Sequence, residues 1–218
     1  MKRKYNWMNH FFNFLAVILG VYLAFYLSER SKINQERKES MILMNSLVND
    51  LSDDIKTYES YQIPINSELR ENVEDLLNLL IADSLYDIDS KLSLILEVEN
   101  FAPTTSTYSS MKSSGKLSLI DDLALQKALS NYYEGLVFES QKKGEYQVAY
   151  FTSEILNWLT TNFDLMDVKI VQKDDVIILR NKLLIYESLI AQKVNSYETI
   201  VEDSKKLKSQ IESLQNDY

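Results

Sequence analysis

The chain has 218 residues, 45% of them hydrophobic and 25% charged, with a formal net charge of −9. This composition is typical of one buried core with an appendage, and the scarcity of Gly (4) and Pro (2) favours a few long helices over folds that need many tight turns. The absence of Cys, the single His and the acidic charge exclude disulfide frameworks, thiolate metal sites and most histidine-based catalysis, and argue against a nucleic-acid partner.

The first predicted element is a membrane anchor. A short basic tail, residues 1–10, precedes residues 11–28, which read FFNFLAVILGVYLAFYLS and contain no charge. At about 1.5 Å per residue, an 18-residue helix comes close to the thickness of the hydrocarbon core of a bilayer. A buried core helix and a cleaved signal peptide are the alternatives. The apolar run is long for a signal peptide and meets charge directly at Glu29, so the sequence predicts an uncleaved, single-pass signal-anchor.

The orientation of this anchor is nearly balanced by its flanking charges. Lys2, Arg3 and Lys4 precede the apolar segment, and four more basic residues lie within residues 30–38. A short basic tail usually remains in the cytoplasm, so we expect the tail inside and the main domain outside. All 32 acidic residues follow Leu27, which predicts an acidic extramembrane domain.

Small residues recur on one face of the apolar segment. Ala16, Gly20 and Ala24 are spaced four residues apart, a pattern that allows two membrane helices to approach closely. This face is the predicted site of helix–helix association. The alternative is that Ala and Gly are simply common in such helices.

Residues 29–62 are predicted to form a charged stalk that becomes the first helix of a bundle and ends at Ile63-Pro64, with Pro64 near the start of the next helix. Residues 63–218 are predicted to form the bundle domain, with helices near 65–82, 88–98, 121–163 (with a possible break at Gly144) and 174–215, and a short extended piece in 167–171. Two apolar seams follow spacings of three and four residues. They comprise Met41, Met44, Val48, Leu51, Ile55 and Tyr58 in the first helix, and Leu183, Tyr186, Ile190, Lys193, Tyr197, Ile200, Ser204, Leu207, Ile211 and Leu214 in the last.

The fold class is therefore all-α. We expect an N-terminal transmembrane helix that continues into a stalk, and an antiparallel helical bundle whose first and last helices pair in a coiled-coil-like manner. An intramolecular hairpin is the simpler interpretation of the two seams, and a dimer seam is the alternative.

The segment 101–120 is the least regular part of the chain and is rich in hydroxyl groups. Its candidate partner-binding residues are Thr104, Thr105, Thr107, Tyr108, Ser113, Ser114 and Gly115. The structural alternative, which we favour, is that the hydroxyls satisfy backbone groups at a tight corner and that Gly115 ends a helix in the left-handed conformation.

Other chemistry-bearing residues have simpler structural explanations. Asp121-Asp122 and Asp174-Asp175 lie where helices begin, which fits helix capping. Asp83, Asp87 and Asp89 lack the spacing of a calcium loop, so no metal, cofactor or catalytic site is predicted. One aromatic set is more typical of bundle core than of a ligand pocket: Tyr132, Tyr133, Tyr146, Tyr150 and Trp158.

Three stretches resemble a known family. They read LAVILGVYLAFYLSERSKINQERKE, PTTSTYSSMKSSGKLSLIDD and NYYEGL, and together they resemble an uncharacterised bacterial family of single-pass, membrane-anchored helical proteins, a domain of unknown function. The chain departs from the family pattern just before the anchor, where it is shorter, and at Tyr22 and Phe25-Tyr26, where aliphatic residues and an Asn-Trp pair are expected. The resemblance implies anchoring in the bacterial inner membrane and a helical extramembrane domain, and it implies no catalytic activity.

These features predict a non-enzymatic, membrane-anchored interaction module that serves as an accessory or scaffold subunit of a membrane complex. Its expected partners are the lipid bilayer and either another protein or a second copy of the chain. The alternative function is a sensor-type bundle that binds a small ligand between its tyrosines and signals through a partner.

The small-residue face generates one prediction. If it mediates self-association, Gly20→Ile will reduce the detergent-resistant dimer, because a branched side chain holds the two backbones apart. Size analysis in mild detergent measures this, and unchanged dimerisation would remove the association face from consideration.

Overall fold

The computed structural model describes residues 7–82, 88–164, 166, 169–170 and 176–216, and gives only the backbone of residues 89, 90, 169 and 170. The predicted all-α class is confirmed. The α-helices are α1 (Trp7–Thr57), α2 (Ile63–Ile81), α3 (Ile88–Leu94), α4 (Ser106–Ser113), α5 (Leu123–Ser130), α6 (Val137–Tyr150), α7 (Asn157–Asn162) and α8 (Val176–Asn216). Three π-helical segments lie at Tyr58–Gln62, Asn131–Leu136 and Phe151–Leu156, and a 3₁₀ turn at Lys116–Leu119. The short strands β1 (Phe163–Asp164) and β2 (Lys169–Ile170) pair antiparallel; β2 lies within the predicted extended piece 167–171, whereas β1 was not predicted.

The first helix does not end at Pro64. Helical structure continues from Trp7 to Ile81 over 75 residues, so the predicted break is wrong. The reason is the π-helical segment Tyr58–Gln62, in which the Ile63 N–H donates to the Tyr58 carbonyl. The wider turn places Pro64 in the first turn of α2, where the missing N–H of proline costs least.

The last helix packs antiparallel on the first helix, which confirms the intramolecular hairpin. Gln215 Nε2 donates to Asn45 Oδ1 at 3.0 Å, and ion pairs join Lys205 to Glu59 and Arg70 to Glu187. Residue numbers fall along α8 as they rise along α1 and α2, as an antiparallel pair requires. In the predicted seam of α8, nine of the ten positions are buried and Leu214 is half-buried.

The seam of the first helix is shifted relative to its prediction. Met44, Leu51 and Tyr58 are buried as predicted, but Met41, Val48 and Ile55 are only half-buried at the flank. The alternate positions of the buried row are occupied instead by Ser40, Leu47 and Asp54. A simple apolar count missed this because one of these residues is a serine and another is an aspartate.

The buried apolar residues form two clusters along the hairpin. The first lies between α1, α4, α5 and the second half of α8; the second lies between α2, α3, α7 and the first half of α8. The predicted helix 121–163 is present as α5, α6 and α7 with two π-helical segments between them, and it passes through Gly144 without a break.

Capping explains where α5 begins. Asp122 Oδ1 accepts from the backbone N–H groups of Ala124 (2.7 Å) and Leu125 (3.2 Å), which confirms the predicted cap. Asp174-Asp175, Asp83, Asp87 and the side chain of Asp89 lie outside the described residues.

The predicted helix 88–98 ends early, at Leu94. Residues 96–105, which we call the strap, follow in an irregular conformation because their polar groups bond to side chains of neighbouring helices rather than to one another. The side chain of Asn100 in the strap sits against Gly144 of α6, at the position that a Cβ atom would occupy.

Two glycines provide a matched test of this contact. Gly135→Ala, which meets nothing within 4 Å, is expected to leave stability unchanged or raise it by up to about 1 kcal/mol through helix propensity. Gly144→Ala is expected to be less stable than the Gly135 variant by about 0.5–1.5 kcal/mol, because its methyl group must displace the end of the exposed Asn100 side chain. Denaturant unfolding in detergent measures both. The double variant Gly144→Ala/Asn100→Ala should lose most of the penalty, and a penalty that persists would contradict the contact.

Candidate functional site

The first part of α1 is an uncovered apolar surface. Every residue from Trp7 to Gln35 is exposed, and the most apolar 18-residue window of the long helix has a mean hydropathy of 2.0 with none of it buried. The helix is long enough and apolar enough to cross a membrane. At about 1.5 Å per residue, this exposed part extends roughly 43 Å beyond the bundle.

The polar end of this apolar surface is marked by a side-chain pair. Arg30 Nη1 donates to Tyr26 Oη at 3.1 Å, one turn apart on the helix. A tyrosine beside an arginine suits the boundary between hydrocarbon and headgroups. The predicted association residues Ala16, Gly20 and Ala24 are all exposed on this segment, and nothing lies within 4 Å of the Cβ position of Gly20.

The predicted partner-binding loop is mostly a short helix. Thr104 and Thr105 precede α4, the next three predicted residues lie in it, and Ser114 and Gly115 follow it. Gly115 has a φ of 73°, so the predicted left-handed glycine is confirmed. An α-helix presents its residues to different sides, so the seven predicted residues do not all line the same cavity.

A shallow groove of about 560 Å³ runs between α4 and the π-helical segment Asn131–Leu136. Three of the seven predicted residues line it: Thr105, Tyr108 and Ser113. The other lining residues are Ser109, Lys112, Tyr133 and Glu134. The hydroxyl residues lie four apart along α4, so they form a row along one wall of the groove.

An ionic and aromatic cluster joins the two walls of the groove, α4 and the π-helical segment. The rings of Tyr108 and Tyr133 stack with centroids 4.5 Å apart. Tyr108 Oη donates to Glu134 Oε1 at 2.5 Å, and Lys112 forms an ion pair with the same oxygen. Hydrogen bonds from Lys112 and Tyr108 lower the pKa of Glu134, and the bond to Glu134 raises the pKa of Lys112.

The two neighbouring tyrosines of the NYYEGL motif have different surroundings. Tyr132 Oη lies 2.7 Å from Ser204 Oγ, and burial raises the pKa of Tyr132 to about 12. Tyr133 Oη is buried and has no hydrogen-bond partner within the described part of the chain, and burial raises its pKa further. The ring of Tyr133, and not its hydroxyl, therefore stabilises the groove.

The five aromatic residues considered for a ligand pocket do not converge on one cavity. Tyr132 and Tyr133 belong to the first core cluster, and Trp158 belongs to the second, with Tyr150 packed against it. The core interpretation is confirmed for these residues and wrong for Tyr146, which is 64% exposed.

Two buried ionisable residues were missed as functional candidates. Asp54 lies outside the predicted seam of the first helix, and Lys193 is the charged member of the predicted seam of the last helix. Both are buried and both bond to the strap. The signal available in the sequence was a charged residue at a core position of a regular seam. Asp54 lies seven residues after Leu47. Lys193 lies between Ile190 and Tyr197.

The fold defines a class of helical-bundle proteins whose first helix extends far beyond the bundle as an exposed apolar surface. Residues 13–179 match the model of a family of unknown function, DUF6090, so the chain belongs to that family. No curated protein and no solved structure matches the chain. Among the described residues there is also no group of three or more His, Asp or Glu placed to hold a metal ion.

Proposed function

We propose that this protein is a non-enzymatic interaction module anchored by a single helix in the bacterial inner membrane, where it serves as an accessory or scaffold subunit of a membrane complex. The observation that carries this proposal is the exposed apolar part of α1, which continues without a break into the core of the bundle.

The size of this exposed apolar surface supports insertion into lipid, because exposing it to water would be unfavourable. Its 17 successive uncharged residues, 11–27, form a patch far larger than a soluble monomer normally exposes. The Tyr26–Arg30 pair supports a boundary at the end of this run. All acidic residues and all but three of the 23 basic ones follow Leu27, which suits a water-exposed domain; we place the tail in the cytoplasm and that domain outside.

The position of the groove supports contact with a protein partner in the same membrane. Lys116, just after α4, pairs with Glu39, and Thr104, just before it, bonds to Asp54. Counted along α1, these contacts lie about 18 Å and about 40 Å beyond Leu27. We propose that the groove binds an extended segment of a partner protein, whose backbone would meet the hydroxyl row while its side chains meet Lys112 and Glu134.

The membrane anchor is tested with matched charge insertions. Leu19→Arg/Leu23→Arg places two arginines in the middle of the apolar run, at a cost of about 5–7 kcal/mol for insertion. Ile33→Arg/Asn34→Arg adds the same charge to the exposed stalk. The first variant should leave the membrane fraction on alkaline carbonate extraction, and the second should remain. Equal retention of both variants would contradict a spanning helix.

The groove is tested by filling it. Ser109→Trp introduces an indole into the groove, whereas Ser110→Trp places the same group on an exposed position of α4 that does not line it. In a mild-detergent purification with mass spectrometry, a stoichiometric partner should fall roughly tenfold with Ser109→Trp, a loss of about 1.4 kcal/mol, and persist with Ser110→Trp. A partner that is recovered equally with both variants binds elsewhere.

A further inference from the structure

The strap is held by side chains and not by its own backbone. Within the described part of the chain, residues 97–104 make no backbone-to-backbone hydrogen bond. Even so, Val98 and Phe101 pack against the two core clusters, and Pro103 is buried. A segment of this kind opens more readily than a helix, because no ladder of backbone hydrogen bonds resists its release.

Its carboxyl-terminal end is bonded to α1 and its centre to α8. The Thr104 N–H donates to Asp54 Oδ2 at 2.9 Å, and the Thr104 hydroxyl donates to Asp54 Oδ1 at 3.1 Å. The Phe101 N–H donates to Tyr197 Oη at 3.3 Å, and the Phe101 ring meets Tyr58 edge to face at 4.9 Å. Asp54 and Tyr197 therefore use their buried polar atoms on the strap.

The amino-terminal end is bonded to a fully buried lysine. Lys193 has no exposed surface; its Nζ donates to the Glu99 carbonyl and, at 2.8 Å, to Gln147 Oε1. The same Nζ lies 5.8 Å from the centre of the Tyr197 ring. Two oxygen acceptors and one aromatic face surround Nζ, and among the residues that the structure describes no carboxylate forms an ion pair with it.

The other titratable groups around these contacts are few. On the strap, the Glu99 carboxylate accepts from Tyr61 Oη (2.7 Å) and Gln62 Nε2 (3.4 Å) of the first helix. The neighbour of Lys193 on α6, Gln147, is neutral and donates to Tyr186 Oη at 3.1 Å. The charges of Asp50 and Asp53 act on the pKa of Asp54. The charge of Asp54 in turn raises the pKa of Tyr58, Tyr132 and Tyr133.

We propose that the strap is a proton-linked latch, held most tightly over Lys193 when that side chain is neutral and loosened when it takes up a proton. A neutral amine still has two N–H groups, enough to bond to the Glu99 carbonyl and Gln147 Oε1, and it places no charge in the core. A protonated amine is better solvated by water, which it reaches when the strap opens. This inference concerns the strap and does not depend on the groove or its partner.

The direction of the pH effect follows from burial. Desolvation lowers the pKa of Lys193 from 10.5 to about 8, and the nearby Glu99 carboxylate opposes that shift. Between about pH 8 and 10.5 the closed strap therefore binds fewer protons than the open one, so lowering the pH across this range favours opening. Lowering the pH further, below about 7, changes the opening equilibrium little, because Lys193 is then protonated in both states. Burial also raises the pKa of Asp54, and the Lys193 variants described below separate the contribution of Lys193 from that of Asp54.

Hydrogen exchange of the full-length protein in lipid nanodiscs tests the latch. Protection factors, which are corrected for the intrinsic effect of pH on exchange, are compared for a strap peptide covering residues 97–104 and for a peptide of α1 covering residues 44–54. We expect strap protection to be level between pH 6 and 7 and to rise about tenfold from pH 7 to 9, as a pKa difference between about 8 and 10.5 requires. The α1 peptide should show no such rise.

Two lysine variants separate the latch from general stability. Lys193→Met should abolish the pH dependence of strap protection, whereas Lys205→Met, on an exposed part of the same helix, should leave it as in the native chain. If circular dichroism shows that Lys193→Met does not fold, Lys193→Gln is used in its place. The latch is refuted if the native strap shows no rise, if a Lys193 variant retains it, or if the α1 peptide rises in parallel.

Discussion

The antiparallel pairing of α8 with the first helix is the contact on which the rest of the structure depends. α8 supplies buried residues to both core clusters, from Leu179 to Ile211, and α1 and α2 face it along the same length. The shorter helices each cover only part of this pair. Both long helices contribute residues to each cluster, so neither cluster is complete without the hairpin. The hairpin in turn buries little apolar surface without the two clusters.

The hairpin also fixes where charge is tolerated. Several polar residues of the two long helices that enter the core bond to another element, as with Ser40 to the Leu119 carbonyl, Ser204 to Tyr132 and Ser196 to Ser140. Asp54 and Lys193 follow the same rule with the strap as their partner. Burying an ionisable group without such bonds costs free energy. The strap therefore provides the hydrogen-bond partners that Asp54 and Lys193 need, and these two side chains in turn hold the strap in place.

The sequence predicted the elements that repeat and missed those that depend on distant contacts. The seam of α8 is regular over ten positions, and all ten are buried or half-buried. The break at Pro64 was predicted because a proline normally ends a helix; the π-turn that accommodates it has no simple signature in the sequence. The strap could not be recognised either, since its conformation is set by Asp54, Lys193 and Tyr197, which lie 50 to 96 residues away from their strap partners. In the groove, Thr105, Tyr108 and Ser113 were found from composition, whereas Glu134 lay in a motif noted only for its two tyrosines.

The unbroken first helix has a consequence for torsion. Each helical residue turns the chain by about 100°, so the side of the helix that faces α8 at Met44 fixes the direction of every side chain before it, back to Trp7. The apolar segment therefore cannot spin freely about its own axis while Met44, Leu47 and Leu51 stay buried. The azimuth of Gly20 relative to the groove is set by the bundle, and any neighbour that contacts one face of the apolar helix meets the bundle above it in a single orientation.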